Sequence, residues 1–251
     1  MRIERVLAPN PGVYTLEGTN TWIVGDAPAV VIDPGPADEG HLERVAERAG
    51  QVVAILLTHG HEDHAPGAAR LAAMTGAPFH AFDPVLGGLP LGDGDAFAAG
   101  DGAPIRAVHT PGHSPDSVAF LAEGALFTGD SVLGRGTSMI DAPEGVLADY
   151  LASLRRMRDL GPRTIYPGHG PVVEDAVGKL DEYLAHREER ERQVVDALAA
   201  GDETIDAMVA RIYADHPRDV WPLAGRSVLA HLIKLESEGR VRAEGQRYRP
   251  A

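Results

Sequence analysis

Three imidazoles and two carboxylates are packed into six residues, His59-Gly60-His61-Glu62-Asp63-His64. They follow directly on the apolar run Val52 to Leu57. That run is short, rich in β-branched residues and unbroken by polar ones, the pattern of a strand covered on both faces. It ends at Thr58, which predicts a ligand-rich loop at the end of a buried strand. Past the loop, the small and apolar residues Ala68 to Thr75 predict a short helix stopped by Gly76.

Neutral imidazole and carboxylate suit zinc, or less specifically manganese or iron. Thiolate sites are excluded because the chain has no cysteine. The same arrangement recurs downstream. His113 follows the strand-like Ile105 to Val108, Asp130 follows Ala125 to Gly129, and His169 follows Thr164 to Gly168. Four predicted strand ends thus offer seven candidate ligands: His59, His61, Asp63, His64, His113, Asp130 and His169. Asp33, in Val30-Val31-Ile32-Asp33-Pro34-Gly35, ends an earlier apolar run; read alone it is equally a plain strand-to-turn residue.

In this order the motifs resemble the metallo-β-lactamase superfamily of metal-dependent hydrolases, over nearly the whole chain. The resemblance implies a first zinc held by His59, His61 and His113, a second held by Asp63, His64 and His169, and Asp130 bridging the two. It implies that Asp33 orients a ligand imidazole from behind, as such carboxylates do. Two such ions, about 3.5 Å apart, would hold a bridging water and lower its pKa enough to supply hydroxide near neutrality. Asp63 would ligate the second ion and accept the remaining proton. Asn20 and Thr21 would lie near the site and contact substrate, with turn chemistry as the alternative reading. Arg135 would bind a phosphate or carboxylate, or stand solvated.

Branches of the superfamily are narrowed by what the chain carries. A lactam-hydrolysing role is disfavoured, since those enzymes use a cysteine ligand or lack the bridging Asp. Flavodiiron proteins place Glu at the His61 position. The segment from Asp130 to His169 is too short for the insertion of one nuclease branch. A closer resemblance is to the β-lactamase-like protein 2 group, carried by Asn10-Pro11-Gly12, Leu16 to Trp22, Ser131 to Gly134 and Tyr166 to Pro171. That group implies an αββα sandwich of α/β (α+β) class, here residues 1–199, followed by a winged-helix domain, here 200–251. Its members include an endoribonuclease acting on single-stranded RNA and fungal thioesterases that release polyketides from a carrier protein.

The residues of the tail fit that reading without the family. Asp175 to Ala199 predicts a long helix whose charges, crowded over His186 to Arg192, read as a solvated face or as a helix bridging two domains. Gly201 breaks it, and Asp202 is expected to cap the next helix, to about Ala214. A third helix follows over Ala224 to Ser237, and a hairpin with a Gly-bearing turn over Val241 to Arg249. Earlier, His41 to Ala49 and Val146 to Leu160 are amphipathic. The Gly-rich stretch from Phe82 to Asp101 reads either as a lid or as an inert loop.

Composition bounds the partners. The net charge of −14 weighs against broad nucleic-acid binding. The excess lies in the first two hundred residues, for Gly201 to Ala251 balances eight basic against eight acidic, with a local +3 over Arg226 to Ala251. No apolar run approaches the ~20 residues of a membrane span, and the N-terminus has no apolar core of a signal peptide; a cytoplasmic protein is expected, without a membrane partner and free to form a homodimer. The expected function is a dinuclear zinc hydrolase cutting single-stranded RNA. The rival is a thioesterase acting on acyl-carrier, coenzyme A or glutathione thioesters, since the same hydroxide attacks either centre. A third class is a winged-helix scaffold or nucleic-acid-binding protein with a vestigial metal site.

Overall fold

Strands that are buried throughout still have two different faces, and this sets the layers. The computed structural model describes residues 1–100 and 102–251. In β2 (Asn20–Val24) all residues are buried, yet Trp22 and Val24 enter one apolar cluster and Ile23 another. Successive side chains leave a strand on opposite sides. The split repeats in β3 (Ala29–Ile32) and β4 (Val52–Leu56), where Val30, Ile32, Ala54 and Leu56 face inward while Val31 and Ile55 face outward. With β1 (Ile3–Leu7), β5 (Phe79–Ala81) and β6 (Leu89–Pro90) these strands form a six-stranded sheet in sequential order, antiparallel from β1 to β3 and parallel from β3 to β6.

The second sheet has five strands: β7 (Ala96–Phe97), β8 (Ile105–His109), β9 (Val118–Ala122), β10 (Ala125–Gly129) and β11 (Thr164–Pro167), in the order β11-β10-β9-β8-β7. Its inner face, with Ile105, Ala107, Phe120 and Phe127, closes on that of the first sheet. Trp22 stands edge-on to both Phe127 and Tyr166 across the interface. Helices cover the outsides. α1 (Glu39–Ala49) and α2 (Ala68–Thr75) lay Leu42, Val45 and Leu71 on the first sheet. α3 (Leu147–Asp159) and α4 (Ala176–Ala199) lay Leu154, Met157, Leu180 and Tyr183 on the second. The αββα sandwich is therefore present, and α2 has the bounds expected, ending at Gly76 in the left-handed region.

Phe82 to Asp101 is neither a lid nor an inert loop; its last residue, Asp101, lies outside the described residues. After a one-turn helix at Pro84–Leu86 it adds β6 to one sheet and β7 to the other, and it buries Leu91 and Ala99 in the inner core. The segment is the crossover between the sheets.

The tail is a three-helix unit with a wing: the end of α4, then α5 (Ile205–Ile212), α6 (Trp221–Ser237) and the hairpin β12 (Val241–Glu244) and β13 (Arg247–Pro250). Two local expectations need correction. Thr204, not Asp202, caps α5 by accepting from the Ala207 N–H, while Asp202 pairs with Arg211. α6 begins at Trp221, ahead of the expected Ala224, because the turn Arg218–Val220 feeds straight into it and Pro222 suits a first turn. α4 serves both units. Leu180 and Tyr183 belong to the sandwich, whereas Val194, Ala197 and Leu198 pack with Met208, Val228 and Leu232 of the tail. The charge cluster on α4 is thus the bridging helix of the two readings: Arg187 within it is only 4% exposed.

Candidate metal centre

The seven candidate ligands converge at one end of the sandwich, where β4, β8, β10 and β11 each run out into a loop. Asp33, just past β3, anchors the arrangement. It sits at φ 51°, a conformation short polar side chains tolerate better than most. Its Oδ1 accepts from the Thr58 N–H at 2.8 Å, and its Oδ2 accepts from the Thr58 hydroxyl at 2.7 Å and from His64 Nδ1 at 2.8 Å. One buried carboxylate therefore fixes both the start of the ligand loop and the orientation of a ligand ring.

Every imidazole has one nitrogen turned to an acceptor and the other turned inward. His59 Nδ1 donates to Thr58 Oγ1 (3.0 Å), His113 Nδ1 to the Met139 carbonyl (3.0 Å), and His169 Nδ1 to the Gly18 carbonyl (3.2 Å). His61 Nε2 donates to Glu144 Oε1 (3.3 Å). These bonds select the tautomer in which the inward nitrogen carries a lone pair. The inward atoms then face one another. His113 Nε2 lies 3.3 Å from His61 Nδ1, and His64 Nε2 lies 3.2 Å from His169 Nε2. His59 Nε2 is buried with no hydrogen-bond partner. Inward lone pairs repel unless a proton, which the nearby carboxylates favour on His64 and His169, or a cation stands between them, and one shared divalent ion satisfies a whole group. The residues fit a divalent metal on this ground.

They fall into two groups, His59, His61, His113 and Asp130 in one, Asp63, His64 and His169 in the other, with potential ligand atoms within 4.8 Å of one another in each. Asp130 spans the two. Its Oδ1 is 3.2 Å from His169 Nε2 and 3.4 Å from His64 Nε2, while its Oδ2 is 3.9 Å from His113 Nε2. Asp63 Oδ2 approaches His169 Nε2 at 3.0 Å and His64 Nε2 at 3.4 Å. Close packing here depends on glycine. A Cβ at Gly168 would stand 2.7 Å from Asp130 Oδ1 and 2.7 Å from the His64 ring.

The electrostatics agree with the geometry. Burial works to raise the Asp63 and Asp130 carboxyls, yet the imidazoles of His64 and His169 outweigh it and hold both below the usual carboxylate range. In return, against burial, Asp130 and Asp63 push His169 up to about 9. Burial pushes His59 down and favours the neutral form that a metal ligand requires. The field of two fixed carboxylates draws positive charge into the pocket.

Asn20, Thr21 and Arg135 are not assembled with this group. Asn20 is fully buried and its amide donates to the Pro167 and Gly170 carbonyls, which pins the His169 loop to β2. Thr21 is equally buried and shares a hydrogen bond with His41. Neither side chain is open to a substrate. Arg135 is exposed and paired with Glu17. The residue of this stretch that does reach the site is Thr19, whose hydroxyl lies 3.3 Å from Asp63 Oδ2. Glu144 and the Met139 carbonyl were also missed, and nothing in the local sequence marks them, because one follows a turn and the other acts through its backbone.

Comparison with known proteins agrees with this picture. Residues 14–86 and 76–169 match the family described as the metallo-beta-lactamase superfamily, and residues 204–249 match the beta-lactamase associated winged helix domain. A protein of Drosophila melanogaster named beta-lactamase-like protein 2 homolog is 36% identical, the alignment covering 95% of this chain and 89% of that one. An Aspergillus chevalieri protein named atrochrysone carboxyl ACP thioesterase is 37% identical, over 98% of this chain and 84% of its own. Among solved structures, a metallo-beta-lactamase family protein from Thermus thermophilus superposes with a TM-score of 0.79 at 24% identity, covering 99% of this chain and 98% of that chain. At that identity the superposition speaks to the fold.

Proposed function

The chain belongs to the metallo-β-lactamase superfamily of hydrolases, and from that premise we propose that it is a dinuclear zinc thioesterase acting on an acyl thioester of a carrier protein, coenzyme A or glutathione. The all-nitrogen and oxygen ligand set with a spanning carboxylate supports zinc and supports two ions. The same site suits a phosphodiester as well as an acyl centre, so the substrate has to be argued from elsewhere.

The observation that carries the choice is the state of the tail's cations. Of its eight basic residues, six are engaged in ion pairs within the chain: Arg211 with Asp202, Arg226 with Asp141, Lys234 and Arg240 with Glu191 and Glu238, Arg247 and Arg249 with Glu203. α6, the helix that would enter a groove, is packed against α3, α4 and α5, and its His231 is 1% exposed. Affinity for a polyanion is mostly phosphate neutralisation. Cations already neutralised, on a chain of net charge −14, give RNA little to bind. The relative named as a carrier-protein thioesterase, similar over 98% of the chain, supports the same substrate class.

Bound divalent ions supply Lewis acidity, polarising the thioester carbonyl and acidifying water. The chain's own residues do the remainder. Asp33, Met139, Gly18, Thr58 and Glu144 hold the imidazoles in their ligating tautomers. Asp63 Oδ2 is occupied by His169, His64 and Thr19, which leaves Oδ1 to accept the proton of the attacking water. His59, His64 and His169 are buried to 2% exposure or less, so water reaches the pocket from the half-buried His61 and Asp63 side.

An assay panel tests the reading: a carrier-bound acyl thioester, an acyl coenzyme A, a glutathione thioester and labelled single-stranded RNA, each with wild type, His61→Ala and Asp130→Ala. Thioester hydrolysis is expected, falling at least about a hundredfold in both variants. RNA cleavage with every thioester left intact overturns the substrate class. Hydrolysis that survives both substitutions overturns the metal reading itself.

A further inference from the structure

Residues 138–144 touch two of the three imidazoles of the first ligand group. The Met139 carbonyl accepts from His113 Nδ1 at 3.0 Å, with the Ser138 hydroxyl also 3.4 Å from that nitrogen, and Glu144 Oε1 accepts from His61 Nε2 at 3.3 Å. The segment has no strand or helix of its own. What holds it is α4 together with the tail. Arg187 of α4, buried and with its guanidinium against the Tyr150 ring, donates to the Ser138 carbonyl. Arg226 of α6 donates to Asp141 Oδ2 at 2.7 Å. Ile140, 1% exposed, lies in one cluster with Ala230 of α6.

We propose that residues 138–144 form a strap by which α4 and the winged helix behind it set the geometry of the His59, His61 and His113 group, with Arg187 of α4 and Arg226 of the winged helix as positioning residues. The physical reason is that a carbonyl behind an imidazole fixes both its tautomer and its direction, and such supports are worth about ten- to a hundredfold in metal affinity. A strap without secondary structure cannot hold a carbonyl in place alone. The tail that usually reads nucleic acid is here turned inward, its third helix serving as the fixed wall to which the strap is tied. The Asp63, His64 and His169 group has different supports, Asp33 and Gly18, from the sandwich alone. The two groups should therefore respond differently to damage at the junction with the tail. The inference rests on reading these histidines as a metal site.

Zinc alone is the probe, titrated into chelator-stripped full-length protein by calorimetry, with the visible spectrum of the cobalt-loaded protein as a second readout. Arg226→Ala removes an exposed ion pair and leaves the core intact, so it folds; its zinc affinity at the first group is expected to fall roughly threefold, on the scale of a surface pair. The charge reversal Asp141→Arg with Arg226→Asp is expected to restore it. Arg187→Met is expected to weaken the same step by about tenfold or more, and to alter the cobalt bands, with Arg187→Lys intermediate. In a His113→Ala background, where the remaining step belongs to the second group, Arg226→Ala should change nothing. An unchanged first step in folded Arg226→Ala, equal weakening of both steps, or failure of the charge reversal to restore affinity overturns the strap, and Arg226→Ala decides the matter if Arg187→Met does not fold. Wild type that takes up no zinc would instead sink the metal reading beneath it.

Discussion

Asp33 shows how much of a candidate metal centre is decided by residues outside the candidate ligand set. A single buried carboxylate accepts three hydrogen bonds, from the Thr58 N–H, the Thr58 hydroxyl and His64 Nδ1. Asp33→Asn keeps the shape and removes an acceptor, so one donor at least is left buried and unmatched, at about 1–3 kcal/mol of stability. Zinc affinity at the second group should fall about ten- to a hundredfold, measured by competition with a chelating dye; an affinity equal to wild type would show that His64 needs no support from behind. Gly168 makes the complementary case, where the missing atom matters. Gly168→Ala places a methyl 2.7 Å from both Asp130 Oδ1 and the His64 ring, and the spanning carboxylate must move. Loss of the second zinc step with the fold retained by circular dichroism is the expected result, and two intact steps would refute it. At this scale the candidate ligands that converge in space were legible in the sequence because their side chains carry the chemistry directly. For Asn20 and Thr21 the sequence leaves substrate contact and turn chemistry both open, because a polar side chain at a strand end looks the same whether it meets a ligand or a neighbouring carbonyl. Thr19 reaches Asp63, whereas Asn20 is spent on Pro167 and Gly170.

Among the elements, α4 most changes how the molecule is understood. Its charged middle reads in sequence as solvent-facing or bridging, and only packing separates the two. The structure gives Arg187 to the sandwich and Glu191 to a network with Lys234 and Arg240 of the tail. Partial burial works to raise the Glu191 carboxyl, but Lys234 and Arg240 outweigh it, so its pKa lies below the ordinary 4.5. The folded protein then binds this proton less tightly than the unfolded chain. Its contribution to stability is complete above about pH 4.5 and is lost as the pH falls through the lowered value. Glu191→Gln should therefore melt below wild type near neutrality, and the gap should close on acidification. A gap that is constant from pH 7 to pH 3, followed by calorimetry, would show that the network carries no linkage to the fold. Strands and helices with clean periodicity, such as β4 and α2, were legible in the sequence to within a residue. The crossover from Phe82 onward was not, because two-residue strands have no period to read and exist only through the sheets they join.

Across the whole molecule, the sandwich and its tail share one continuous support. Val194, Ala197 and Leu198 lie on the last turns of α4, past the sandwich residues Leu180 and Tyr183, and their partners Met208, Val209, Val228 and Leu232 all come from the tail. Ile140, in the segment beside His113, belongs to one apolar cluster with Ala230 of α6. Cutting the chain after residue 200 would uncover these side chains together. Fully burying one such side chain is worth about 1.5–3 kcal/mol, and domain stabilities are only about 5–15 kcal/mol in all, so exposure of several is enough to threaten the fold. Truncation is thus expected to yield a protein that aggregates or melts well below the intact chain in a thermal scan, even with zinc present. A truncated protein that stays monomeric with an unchanged melting temperature would refute the shared core. The consequence bears on function. Loss of any activity after removing the tail would reflect a collapsed support and say nothing about substrate binding by the winged helix. The question has to be put with charge variants that leave the core intact. Arg242 and Arg218 are the two basic residues of the tail without a carboxylate partner among the described residues, and Arg218 already lies over the Trp221 ring. Converting both to Glu should leave thioester hydrolysis and melting temperature within error of wild type, as expected for surface positions, and a selective loss of RNA binding or cleavage would return the tail to nucleic-acid recognition.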